Sequence, residues 1–276
     1  MRPLVFFAFL LIVSTCAAKD KFEAADFVQQ QLNSIGTSDA RAAAKTCVAQ
    51  GTVIFQIVNN GPLTWEGPAT LVSSGDELAT QMKFPPTVFR TEWFITDGKK
   101  SSVAPVAPGR WSAFGTFIRT HDEVLTEGLW GGTLSTAWAL SHLEERRAKL
   151  EDRGIKKVDG VELHRVDYKP KKSTDLDIQL YFEPETNRHV MTVYLMAVAT
   201  QLGYGSNGSP TEREHHYRLE ERFSDFKSID NLNLPTHWII RFTYGGPSEG
   251  TIDQYDVTET KITHSIPVDP RNFEVK

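Results

Sequence analysis

The spacing of apolar residues along the chain changes from a helical period to a strand period. Apolar side chains recur every three or four positions over residues 22–35, and Gly36 follows, which predicts a helix that stops there. A second, shorter helix is predicted over residues 39–45, with Ser38 as its N-cap. From residue 52 onward, β-branched and aromatic residues alternate with polar ones, so this part of the chain predicts strands.

Turn residues divide the alternating part of the chain into strands that follow one another as antiparallel hairpins. In residues 88–96, for example, the alternation places Phe89 and Trp93 together on an apolar face. An antiparallel sheet with this many strands is expected to curve strongly, because curvature removes exposed edges. The predicted strands cover residues 52–58, 69–73, 78–84, 88–96, 161–169, 176–182, 189–200, 213–226, 234–244 and 251–263.

The middle of the chain predicts helices inserted into this sheet. Residues 111–125 and 134–153 are predicted to be helical, and Gly154 ends the second helix. Between them lie Trp130, Gly131 and Gly132, a flexible joint with one large side chain. Two interpretations of this joint stay open, because it fits both a packed connection and the hinge of a helical lid.

A curved sheet collects one set of side chains on its concave side, because side chains alternate along every strand. Helices that cover this side only as a lid leave room for an apolar guest, whereas helices that fill it make the same residues ordinary core. The sequence leaves both alternatives open. The large apolar residues expected to line such a cavity are Phe55, Met82, Phe84, Phe89, Trp93, Leu180, Phe182, Met191, Phe223, Trp238 and Phe242.

The first residues have the pattern of a secretory signal peptide. Arg2 precedes an apolar run over residues 4–13, and small residues follow it. We therefore predict a signal peptide over residues 1–18, cleavage after Ala18 and a mature protein outside the cytoplasm. The alternative is that Cys16 is retained and acylated, which would anchor the chain. In the mature protein Cys47 is then the only ordinary cysteine, so no disulfide framework is expected.

Composition and motifs exclude several functions. With 276 residues and 40% hydrophobic content, the chain can bury a sizeable core, and we predict one domain over residues 19–276. The net charge of -5, without a basic stripe, argues against nucleic acid as a partner. The sequence has no zinc-protease or phosphate-loop motif. We therefore predict no catalytic residue, no metal and no cofactor, and the chain is not expected to be an enzyme; an esterase that uses residues dispersed along the chain stays open as an alternative.

Several phrases of the second half resemble the bacterial LolA/LolB/LppX-like proteins, the outer-membrane lipoprotein-sorting superfamily. The order is a turn, two strands and an acidic turn, followed by a hairpin and a characteristic ending. The N-terminal helix before the first strand also fits, whereas the helical insert over about residues 111–154 is longer than in the simple carriers. The phrases are VDGVELHRVDYKP (158–170), IQLYFEPETN (178–187), ERFSDF (221–226), NLNLPTH (231–237) and IPVDPRNF (266–273).

The resemblance implies an α+β, mainly β fold, in which a long, strongly curved antiparallel sheet forms an unclosed half-barrel with helices covering its concave side. It further implies a periplasmic carrier that holds the acyl chains of a lipid or lipoprotein in a hydrophobic cavity beneath a helical lid. The expected partners are a lipid or an acylated protein, together with a membrane-associated partner protein, and the chain is expected to be a monomer. The alternative is a non-catalytic envelope interaction or scaffold module with a filled core.

Overall fold

Two helices open the described part of the chain and confirm the N-terminal prediction. The computed structural model describes residues 22–275, except residues 60, 62, 86–90, 106, 108, 198–200, 205–209, 214, 215 and 246–249. The predicted signal peptide and the predicted cavity residue Phe89 lie outside the described residues. Helix α1 spans Ala24–Ile35 and buries three residues spaced four apart on one face. Helix α2 spans Ser38–Ala43, and its N-cap is Thr37 rather than the predicted Ser38, because the Thr37 hydroxyl accepts the Ala40 amide hydrogen bond at 3.2 Å.

Most of the strands pair in one large antiparallel sheet. They are β1 Thr46–Ile57, β2 Thr64–Ser74, β3 Glu77–Met82, β4 Glu92–Thr96, β5 Ser101–Val103, β6 Lys149–Val158, β7 Val161–Lys169, β8 Asp177–Phe182, β9 His189–Ala197, β10 Gln201–Tyr204, β11 Pro210–Arg213, β12 His216–Ser224, β13 Lys227–Ile229, β14 Leu232–Leu234, β15 His237–Tyr244 and β16 Thr251–His264. Within the described residues, twelve of them form one sheet in the order β5-β4-β3-β2-β1-β16-β15-β12-β9-β8-β7-β6. The edge strands β5 and β6 do not pair with each other, so the sheet is an unclosed half-barrel, and the predicted fold class is confirmed.

The connection between the two edge strands explains why one face of the sheet is covered. Strands β5 and β6 follow one another in sequence, yet they lie at opposite edges, so the chain between them must cross the whole sheet. It crosses one face, here called the inner face, and residues 113–146 form the covering segment. This segment contains α3 Ala113–Thr120, α4 Glu123–Thr126 and α5 Leu143–Arg146, with 3-10 turns at Gly132–Leu134 and Ala139–His142.

The covering segment contains less helix than the sequence predicts. Residues 149–153, predicted to be the end of a helix, begin strand β6, and residues 149–152 pair with β7. Most of residues 127–142 are loops and 3-10 turns that are buried on nearly every side. A segment enclosed by core on all sides does not need an amphipathic helical period, and pairing at a sheet edge outweighs helix propensity.

The side chains of strand β4 point to the opposite faces of the sheet from those predicted. Glu92 and Phe94 are fully buried, whereas Trp93, predicted to face inward, is 37% exposed on the outer face. Because Trp93 and Phe94 are adjacent, the sequence fits an alternation with either of them facing inward. A shift of one residue exchanges the two faces of a strand. The Tyr255 hydroxyl donates a hydrogen bond to Glu92 Oε1 at 3.2 Å, so the inward carboxyl is compensated.

Candidate functional site

The inner face and the covering segment share one aromatic core. Trp130 of the covering segment packs edge-to-face on Trp238, with ring centroids 4.9 Å apart, and on Phe94 at 5.5 Å. Phe114 packs on Phe242 at 5.5 Å. Each of these five side chains has at most 1% of its surface exposed. The covering segment therefore fills the middle of the inner face in this conformation.

Polar contacts also fasten the covering segment to the sheet. The Trp130 indole N–H donates to Thr80 Oγ1 at 3.0 Å, and the Gly131 amide donates to Glu221 Oε2 at 2.9 Å. Both bonds are buried, and leaving a buried donor without its partner costs about 1–3 kcal/mol. The covering segment is thus held to the sheet by specific bonds as well as by packing.

The joint at Gly131 and Gly132 is a packed connection in this conformation. Both residues are buried and have positive φ angles, +76° and +52°, which glycine adopts without steric cost. A Cβ atom on Gly132 would lie 2.9 Å from atoms of both Phe223 and His189. The turn therefore needs glycine for its backbone conformation and for its close approach to the sheet.

Glu221 is a carboxyl group that is wholly buried beneath this joint. Its Oε1 accepts a hydrogen bond from the Tyr194 hydroxyl at 2.9 Å, and its Oε2 accepts the Gly131 amide. Burial raises the pKa of Glu221 from 4.5 to about 8, although both donors favour the ionised form. Burial also lowers the pKa of His189, whose ring lies beside the joint, from 6.5 to about 3. Glu221 therefore exchanges its proton near neutral pH directly under the joint.

An apolar pocket lies between the two N-terminal helices and the covering segment. This helix pocket has a volume of about 420 Å³, within the range of roughly 300–1,000 Å³ that is usual for small-molecule sites. Its lining residues Leu134 and Trp138 also belong to the aromatic core, so the pocket borders the covered inner face. The lining residues are Leu32, Ile35, Ser38, Arg41, Ala42, Ala44, Lys45, Cys47, Gly75, Thr133, Leu134, Ser135, Thr136, Trp138, Ser141, His142, Leu232, Leu234 and His264.

Most of the predicted cavity residues lie on the inner face, and the helix pocket is built from other residues. The predicted lid residues, Trp130, Gly131 and Gly132, lie over that face, as described above. Trp93 and Met191 lie elsewhere: Trp93 is on the outer face, and Met191 packs in a separate cluster with Tyr181 and Val193. The predicted residues buried in the main core are Phe55, Met82, Phe84, Leu180, Phe182, Phe223, Trp238 and Phe242.

Sequence reasoning did not find the helix pocket, although a weak signal for it exists. Three alanines in a row, residues 42–44, lie between Arg41 and Lys45, and such small side chains leave space beside a neighbouring element. The wall opposite them is the hairpin of β13 and β14, which is joined to the end of α1 through a bridge between Gly36 and Leu232. That contact joins positions far apart in sequence and has no local pattern.

The thiol reactivity of Cys47 tests whether this side chain is buried in the wall of the helix pocket. Burial, with the nearby carboxylates of Glu259 and Asp230, raises the pKa of the Cys47 thiol to about 12. In a Cys16→Ser chain, we expect Cys47 to react with a thiol reagent at pH 8 at least about 100-fold more slowly when folded than in denaturant, because the thiolate is the reacting species. Stopped-flow absorbance measures both rates, and similar rates would contradict the buried placement.

A second cavity, of about 690 Å³, has a different chemical character. Six carboxylates line it, including Asp122, Glu123 and Asp175, together with three cationic side chains. Across the described residues, no group of three or more His, Cys, Asp or Glu side chains is arranged to hold a metal ion. No helix in the same part of the chain is long and apolar enough to span a membrane.

Comparison with known proteins finds similar shapes among solved structures at low sequence identity. No protein-family model and no curated protein matches the chain. An outer-membrane lipoprotein-sorting protein domain from Vibrio parahaemolyticus matches over 90% of this chain and 94% of its own length, with 9% identity and a TM-score of 0.43. A LolA superfamily protein from Nitrosomonas europaea matches over 92% and 98%, with 8% identity and a TM-score of 0.48.

A third solved structure, the complex of MucA and MucB from Pseudomonas aeruginosa, matches over 88% of this chain and 100% of that chain. Its sequence identity is 8% and its TM-score is 0.23. At these values the comparisons carry no conclusion about what the chain binds.

Proposed function

We propose that this chain is a non-catalytic binding protein of the bacterial periplasm that carries the acyl chain of a lipid or lipoprotein. The observation that carries the proposal is the helix pocket, whose leucine, isoleucine and tryptophan side chains lead to the aromatic core. An acyl chain that enters the pocket would find a continuous apolar path toward the inner face. Each buried methylene contributes about 0.8 kcal/mol, so one chain gives useful but reversible affinity, as a carrier needs.

In the proposed loaded state, the covering segment moves away from the inner face at Trp130, Gly131 and Gly132, and the acyl chain takes its place. The bond from Gly131 to the buried carboxyl of Glu221 is one of the contacts that this movement must break. The inner-face residues that would then line the site are Phe55, Met82, Phe84, Leu180, Phe182, Phe223, Trp238 and Phe242.

The periplasmic part of the proposal rests on the N-terminal sequence. The charged start, the short apolar run and the small residues before Lys19 are typical of export. In that compartment the partners would be a lipid or an acylated protein, and a membrane-associated protein that delivers or receives it. Acylation at Cys16 in place of cleavage after Ala18 would fix the same domain to a membrane.

Native mass spectrometry of the exported chain tests the function. The chain is expressed with its own leader, and the periplasmic fraction is purified without detergent. We expect a co-purifying acyl species that is released only when the protein is denatured. A mass equal to that of the bare chain, unchanged after incubation with phospholipid vesicles, would contradict the proposal.

A pair of matched variants assigns the bound chain to the helix pocket. Ala42 and Ala43 are both exposed on α2, but only Ala42 lines the pocket. Ala42→Trp should fill the pocket and reduce the bound acyl species by about tenfold, whereas Ala43→Trp should bind like the parent chain. Equal retention by both variants would exclude the pocket as the entry to the site.

A second function is favoured by the packing of the inner face. Phe55, Met82, Trp130 and Phe182 have no exposed surface, as expected for a filled core. A chain whose core never opens would instead serve as an envelope interaction or scaffold module that binds protein. In that case an environment-sensitive apolar dye would not bind the native chain, and the mass spectrum above would show no ligand.

A further inference from the structure

We infer that the ligand of the helix pocket carries an anionic head group, held by the pocket residues Arg41 and Lys45. This inference rests on the proposed function and adds the charge of the ligand to it. The expected occupant is an acyl chain that ends in a carboxylate or a phosphate.

The charged residues that line the pocket have one sign. Of the described residues that line it, none is an aspartate or a glutamate, whereas Arg41, Lys45, His142 and His264 all take part. Both histidines already have carboxylate partners, since each Nδ1 lies 2.9 Å from a carboxylate oxygen. Neither Arg41 nor Lys45 has a carboxylate within 4.0 Å among the described residues. Arg41 and Lys45 therefore remain at the pocket without a carboxylate partner among the described residues.

Arg41 is positioned before any ligand arrives. Its Nη1 donates to the backbone oxygen of Leu32 at 2.8 Å and also to that of Gly36, at the C-terminal end of α1. These two bonds use one nitrogen of the guanidinium group, and the described residues provide no hydrogen-bond acceptor for its Nε and Nη2. A guanidinium group with two free donors suits the paired oxygens of a carboxylate or phosphate.

Partial burial of Arg41 favours the binding of an anion. Desolvation lowers the pKa of Arg41, and no nearby carboxylate offsets this effect. A partly desolvated cation gains more from a counter-ion than a fully hydrated one, because the local dielectric is lower. An anionic head group would supply that compensation while its acyl chain lies among the apolar walls.

Neighbouring groups strengthen the preference for an anion at this site. The hydroxyls of Ser38, Ser135 and Ser141 line the same pocket and can donate hydrogen bonds to head-group oxygens. The second cavity has six carboxylates and would repel an anion. The structure thus offers an anionic amphiphile one cavity with favourable charge and another with unfavourable charge.

Binding of four amphiphiles with the same twelve-carbon chain tests the inference. Dodecanoate and dodecyl phosphate represent the two anionic sources, dodecyl maltoside is neutral and dodecyltrimethylammonium is cationic. Each is titrated below its micelle concentration by isothermal calorimetry against the full mature-length chain. We expect at least one anion to bind about tenfold more tightly than the neutral probe, and the stronger of the two identifies the head-group source.

Charge variants connect this preference to the two residues. Arg41→Gln should weaken binding of the anionic probes about tenfold and Lys45→Gln about threefold, because a charge-assisted hydrogen bond is worth more than an exposed ion pair. Binding of dodecyl maltoside should be unchanged in both. Lys99→Gln and Lys172→Gln are the matched controls, since they remove the same charge from the other cavity, and they should bind all probes like the parent chain.

The outcomes separate the inference from the function on which it rests. If all four probes bind equally well and Ala42→Trp still blocks them, the anionic head group is wrong and the acyl-chain site stands. If anion binding falls equally in the control variants, Arg41 and Lys45 are not the head-group site. If no probe binds and the native mass spectrum is also bare, the proposed function fails together with the inference.

Discussion

Replacing Trp130 with alanine is expected to lower the free energy of unfolding by about 3–5 kcal/mol, because it removes one of the two buried tryptophan side chains of the covering segment. Trp130 has no exposed surface, and its ring contacts Phe94, Phe114 and Trp238. Its indole N–H also donates to Thr80, so the variant leaves that hydroxyl without its buried partner. Urea unfolding followed by circular dichroism measures the change.

Trp93→Ala is the matched control for this experiment. It removes the same side chain from the outer face, where Trp93 is 37% exposed, and should cost no more than about 1 kcal/mol. A loss at Trp130 as small as the loss at Trp93 would show that the covering segment is not part of the core. The Trp130→Ala protein should also bind an apolar dye more strongly than the parent chain, because the substitution opens a cavity among aromatic residues.

Raising the pH from 6.5 to 8 is expected to destabilise the protein through Glu221. The folded-state pKa of about 8 lies above the ordinary value of 4.5, so the folded chain holds a proton that the unfolded chain has released. The free energy of unfolding therefore falls as the pH rises between those two values, and the fall levels off above the folded pKa. The slope from one such group is at most about 1.4 kcal/mol per pH unit.

Two other buried groups determine the pH range in which the effect of Glu221 can be measured. Burial lowers the pKa of His189 from 6.5 to about 3, so its own effect, a loss of stability with falling pH, lies below pH 6.5. Burial raises the pKa of Glu259 from 4.5 to about 7, so Glu259 acts in the same direction as Glu221 over part of the range. The variants Glu221→Gln and Glu259→Gln separate the two carboxyls.

The Glu221→Gln protein should lose most of the pH slope between 7 and 8, while Glu259→Gln should lose it mainly below 7. Urea unfolding at half-unit pH steps measures both slopes, and an unchanged slope in Glu221→Gln would refute the assignment. Ionisation under the joint should also loosen the covering segment. In the parent chain, the hydrogen-exchange protection of the Gly131 amide should therefore fall with rising pH, and in Glu221→Gln it should stay constant.

The inner face shows how far the strand pattern could be used to predict the site. Leu180, Phe182, Trp238 and Phe242 are buried in the main core, because each lies in a strand with a clear alternation of apolar and polar residues. The alternation failed at β4, where a buried carboxyl, Glu92, takes an inward position. Sequence hydropathy cannot indicate such a residue, since its burial depends on the Tyr255 hydroxyl from a distant strand.

The covering segment shows a different limit. The sequence indicated an insert with a glycine joint, but the loops and 3-10 turns of residues 127–142 have no period of their own. Their conformation comes from the bonds that they make to the sheet, such as that from Gly131 to Glu221. The helix pocket was missed for the same reason, because its walls come from α1, α2, the β13–β14 hairpin and the covering segment.

By itself, the sequence determined most of the strands, the first helices and the apolar face of a long antiparallel sheet. These features depend on the spacing of residues close together in the chain, which a local pattern records. Only the tertiary structure decided that β5 and β6 form opposite edges, so that the chain between them must cross and fill the inner face. The same crossing left an apolar pocket beside Arg41 and Lys45, because pocket walls arise from contacts between segments that are distant in sequence.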